Sequence, residues 1–199
     1  EGKWLFGQNG NFGENASNWF GCRYDGETGG NNFIFRRYAQ GVGYDVALSF
    51  PLEPNISSVI AFTHSQEQGE AKVYVDGSMI NSENCSESPL PVWPASFEIG
   101  GFTFDAPWIN TNYSGLIDNF SIWNKALTAE EIAELTNCPP IGNEEYLVAF
   151  WNFEEGSGDT IYDQTINENS GTMNGVSYFA NNPLEPCLSI SNICSDSDN

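Results

Sequence analysis

Basic residues are scarce in this chain: 6 Lys and Arg stand against 27 Asp and Glu over 199 residues, a formal charge of -21. A field of that sign repels phosphate backbones and anionic headgroups, so no nucleic-acid partner is expected, while cations and salty water are favoured. Histidine is scarcer still. His64 alone cannot complete a Ser-His-Asp set, and with no second His or Cys beside it a metal or general-base role is not expected. No apolar run approaches the roughly 20 residues that span a bilayer, so no membrane insertion is expected. The 5 Cys include no C-x-x-C pair, which speaks against zinc and for disulfides in an oxidising compartment. Their odd number leaves at least one to stay reduced or to pair outside the chain. Glu1 is preceded by neither Met nor a signal peptide, which reads as a piece of something longer.

What is present suits an all-β protein: 14% aromatic residues and 20 Gly, at a length that buries a real core. The most legible stretch runs from Tyr113 to Leu135. Leu116, Asp118, Phe120, Ile122 and Asn124 alternate with Ile117, Asn119, Ser121 and Trp123, the period of a strand covered on both faces. Thr128 precedes Glu131 by three residues, a capping box, with Leu127 and Ile132 as its staple; a short helix is predicted at about 128–136.

Further strands are predicted at Trp4–Phe6, Trp19–Tyr24, Phe33 onward, Val46–Phe50, Ser58–Thr63, Ala71–Val75 and Phe97–Gly100, with Asp76-Gly77 as a hairpin turn. Arg36 and Arg37 are expected in internal salt bridges. The polar, Pro-rich run from Ser82 to Pro94 reads as a surface loop carrying Cys85, and Cys22 is its upstream candidate partner. Trp93, Phe104, Trp108 and Tyr113 could form a ligand-binding platform on which a sugar stacks, or could pack beneath loops. Asn15, Asn55, Asn84, Asn112 and Asn119 each begin an Asn-x-Ser sequon.

Gly115, Ile117, Asp118, Phe120, Ile122, Asn124, Ala126, Leu127, Thr128, Glu131 and Ile132 together resemble the closing strand and helix of laminin-G-like, concanavalin A-like (pentraxin-like) jelly rolls. Lys72–Gly77 and Phe97–Gly100 resemble strands of the same modules. The resemblance implies a two-sheet antiparallel jelly-roll sandwich with one short helix. Tyr146–Gly158, Asp163 and Ser170–Val176 resemble the opening strands of such a module, yet stand after the helix. A second module could begin there, but the favoured reading is a laminin-G-like sandwich over 1–137, a Cys-bracketed segment over 138–187 that completes it, and a polar tail over 188–199. A Cys138–Cys187 disulfide would clip that segment to the helix. The order is similar to that in large secreted surface proteins of marine Bacteroidetes.

Two motifs that the family carries before the equivalent of Trp4 are missing here, so copies of the chain or an adjacent segment are expected to supply strands. Sandwich glycosidases of this shape place Glu-x-Asp-x-(x)-Glu on one strand, and no such triplet occurs, so the chain reads as non-catalytic. Calcium is the cofactor the resemblance implies, held by Asp159, Asp163, Asn167 and Asn169 with Asp118 reaching in; a solvated acidic turn is the alternative. The expected function is an extracellular adhesion or carbohydrate-binding module whose partner is a glycan or a cell-surface or matrix protein. The alternatives are a filament or sheath subunit assembled through strand edges, and an appendage of a polysaccharide-degrading enzyme.

Overall fold

The computed structural model describes residues 3–8, 19–24, 32–39, 43–85, 97–101 and 112–179. Alternating apolar residues build β1 (Trp4–Gln8), β2 (Trp19–Tyr24), β3 (Asn32–Ala39) and β4 (Gly43–Pro51). These are followed by β5 (Ile60–Ser65), β6 (Glu70–Val75), β7 (Ser78–Asn84) and β8 (Phe97–Ile99). One sheet runs β4-β3-β2-β1-β8 and a second β5-β6-β7, with every pairing antiparallel.

Register sets the core. Phe6, Cys22, Phe35 and Leu48 lie opposite one another across four strands, and Phe33 faces Phe50 in the adjacent row. These side chains pack with Ala71 and Val73 of β6 in one buried cluster. Phe62 of β5 stacks on Phe35 with centroids 4.7 Å apart, so the two sheets meet face to face. At one end of the same inner face the Nη1 of buried Arg37 donates to His64 Nε2 at 2.6 Å. The guanidinium thus ties β3 to β5 from within.

After β8 come β9 (Phe120–Trp123), the helix α1 (Ala129–Asn137), β10 (Leu147–Trp151) and the short β11 (Thr160–Ile161) and β12 (Gly171–Thr172). The capping box forms as expected: Glu131 N–H donates to Thr128 Oγ1, and Thr128 N–H to Glu131 Oε2. The strand predicted from Leu116 is shorter, because Asn119 takes φ +50° and regular pairing begins at Phe120. The predicted loop at Ser82 also begins later, since β7 pairs with β6 through Asn84. Asp76 and Gly77, at φ +49° and +76°, form the two-residue turn between them.

β10 pairs with β9, Trp151 opposite Phe120. Phe120 then links two clusters: it lies 5.4 Å from Phe6 and 6.2 Å from Trp151, ring centre to ring centre. The segment after the helix is therefore packed on the sheet that precedes it. Among the described residues, no helix is long and apolar enough to cross a membrane.

Candidate functional site

Residues 159–170 turn back along β10 and bring most of the expected metal ligands together. Asp163 Oδ1 accepts from the backbone N–H of Phe150 at 3.0 Å and of Thr165 at 2.9 Å. Its Oδ2 accepts from Thr165 Oγ1 and Asn169 N–H, both at 2.9 Å. Asn167 and Asn169 send their side-chain amides to the carbonyl of Val148, at 2.9 and 3.1 Å, and the carbonyl of Asn169 accepts the indole N–H of Trp151. Partial burial pushes the Asp163 carboxyl up, but the four donors outweigh it and hold it below the ordinary aspartate value.

This donor set does not fit a calcium ion, which wants converging oxygens rather than converging N–H groups. Among the described residues, no three His, Cys, Asp or Glu side chains gather closely enough to hold a metal. Asp159 is exposed, and its carbonyl accepts from Met173 N–H. Asp118 lies beyond the start of β9, where its electrostatic neighbour is Glu154; its Oδ2 is buried with no hydrogen-bond partner. Desolvation, with Glu154 adding to it, holds that carboxyl above the ordinary aspartate value, although the Asn119 N–H pulls the other way.

Of the expected sugar platform, Tyr113 is half-buried and packs against the main core, edge-on to Phe33 at 6.5 Å. Gly115 permits this, since a Cβ there would fall 2.6 Å from the Tyr113 ring. Trp93, Phe104 and Trp108 lie outside the described residues. The expected Cys22–Cys85 bridge does not form between these two residues. Cys22 is wholly buried among aromatic rings as a small apolar filler, and burial drives its thiol far above the usual range. Cys138 is disulfide-bonded, and Cys187, its expected partner, lies outside the described residues.

Several functional groups had no part in the sequence reading. Thr165 is buried and bonds Asp163 twice; an Asp-x-Thr spacing, the mark of an Asx turn, was the available signal. Glu83 and Asn81 of β7 reach β4, Glu83 Oε2 accepting from Ala47 N–H at 2.7 Å and Asn81 Nδ2 donating to Ser49 carbonyl at 3.2 Å. Only the tertiary approach of two sheet edges reveals that pair. Glu155 holds the next turn, accepting from Tyr162 N–H at 2.7 Å and Tyr178 hydroxyl at 3.2 Å.

The class these sheets define is an antiparallel jelly-roll sandwich. Residues 4–133 match the family model of the concanavalin A-like lectin/glucanases superfamily (Laminin_G_3), and the chain belongs to that family. Among solved structures, a protein of Bacteroides ovatus ATCC 8483, described as a candidate carbohydrate binding protein, is 16% identical with TM-score 0.53, covering 87% of this chain and 59% of its own. An S-layer domain-containing protein from Clostridium thermocellum ATCC 27405, residues 221–444, is 22% identical with TM-score 0.38, covering 65% of this chain and 63% of its own. This chain thus spans less than two thirds of either solved chain. No curated protein sequence matches it.

Proposed function

We propose that the chain is a non-catalytic carbohydrate-binding module of a secreted surface protein. The observation that carries this reading is membership of a lectin/glucanase superfamily in a chain without the Glu-x-Asp-x-(x)-Glu strand of the sandwich glycosidases. The solved relative described as a candidate carbohydrate binder supports it as an analogy of fold. The bonded state of Cys138 supports an oxidising, extracellular setting and a Cys138–Cys187 clip, within which 138–187 completes the sandwich. Sugar contact is assigned to Trp93, Phe104 and Trp108, while Tyr113 packs against the core.

Edge-to-edge assembly is the weaker reading, because two of the edges it would use carry caps. Glu83 and Asn81 occupy backbone groups along β4, and the 163–169 loop occupies those along β10. A glycan array probed with the full chain, Trp93→Ala and Trp108→Ala tests both readings when each sample is also measured by light scattering. Binding to neutral glycans by a monomer, lost in the Trp variants, is expected. A chain that polymerises and binds no glycan would sink the sugar-binding reading and restore assembly.

A further inference from the structure

Backbone N–H groups of Phe150, Thr165 and Asn169 all aim at one carboxylate, so the positive ends of their dipoles occupy the space where a cation would sit. The carboxylate accepts two donors at each oxygen, so its charge is met by the protein itself. The carbonyl oxygen facing the loop is also taken: that of Val148 accepts from Asn167 and Asn169 at 2.9 and 3.1 Å, with the Thr165 hydroxyl farther off at 3.4 Å.

We propose that the loop 163–169 is a metal-independent clasp, in which Asp163 and its N–H and O–H donors lock the outer edge of β10 and take no calcium. β9 covers one edge of β10, and on the other Phe150 N–H meets Asp163, Phe150 carbonyl accepts Gln164 N–H at 2.8 Å, and Val148 carbonyl meets the two amides. A row of backbone groups that would otherwise be left for another strand is filled by side chains and one backbone N–H of the same chain. Glu168 turns the loop at φ +57°, and the N–H of the next residue, Asn169, meets Asp163.

Thermal unfolding of the full chain, in a chelator and then in excess Ca²⁺, tests the clasp, because an ion bound only by the folded state raises Tm with its concentration. The expected result is no difference in Tm between the two conditions, and in Asp163→Asn a drop of equal size in both. A saturable Ca²⁺-dependent rise in the native chain that disappears in Asp163→Asn overturns the proposal. Asn169→Ala serves in its place should that variant fail to fold. A rise that survives both substitutions places the ion elsewhere on this acidic molecule and leaves the clasp as stated.

Discussion

Asp118 and Asp163 are two aspartates of one segment pair with opposite electrostatics. Asp163 has its folded-state titration lowered, so its contribution is present above the ordinary carboxylate range and is lost as pH falls through the lowered value. Asp118 is raised, so the fold favours its protonated form, and the ionised form is a burden at neutral pH that lifts as pH falls through the raised value. Asp118→Asn keeps the shape, removes the charge beside Glu154, and is expected to raise Tm at neutral pH. The gain should shrink toward zero below about pH 4, near the ordinary aspartate value. Paired thermal melts of native and variant chains across that range check it, and a loss of stability at neutral pH would mean that the Asp118 anion has a partner in solution. The opposite signs were not legible in the sequence, where both residues read as ligands of one ion or as parts of a solvated acidic turn; what separates them is burial and which backbone N–H groups each carboxylate meets.

At the scale of strands and helix, local chemistry was the legible part. The capping box, the Asp76-Gly77 turn and the period-two runs of β2, β4 and β6 depend on neighbours within a few residues, and they form where the pattern put them. The strand begun at Leu116 was drawn too long because alternation continues through Asn119 while the backbone turns left-handed there. Packing between strands was illegible in another way: Gly21 stands inside the strand predicted at Trp19–Tyr24, but nothing in the sequence marks it as lying beneath Trp4. A Cβ there would lie 2.7 Å from Phe6 carbonyl oxygen and 2.7 Å from the Trp4 ring. The carbonyl belongs to the strand paired with β2 and has little room to yield, so Gly21→Ala is expected to cost on the order of 1–3 kcal/mol. Denaturant unfolding measures that loss, and an unchanged midpoint would show that β1 and β2 separate readily.

For the molecule as a whole, the matched family region ends at residue 133, but the packing does not. Ile99, Phe120 and Ile122 pack against Ala149, Trp151 and Ile161, which come from the segment after the helix. A chain ended at 137 is therefore expected to unfold at a lower temperature than the full chain and to bind a hydrophobic dye such as ANS, because one face of β9 loses its cover. A fragment that melts cooperatively at the full-length temperature would show that the later segment is only appended. The sandwich itself was readable from the sequence through Gly115–Ile132. The inward turn of Tyr113 was not, since it depends on the room that Gly115 leaves for its ring.

The pairing of β9 with a strand made after the helix also sets the order of events at the ribosome. Phe6, Phe97 and Phe120 are synthesised before Trp151, and until it emerges the rings that meet at Phe120 have no lid. An unfinished sheet of that kind invites association with its neighbours. The unfinished chain already carries 19 of the 27 Asp and Glu and all 6 Lys and Arg by residue 150, and a net charge of one sign opposes that association.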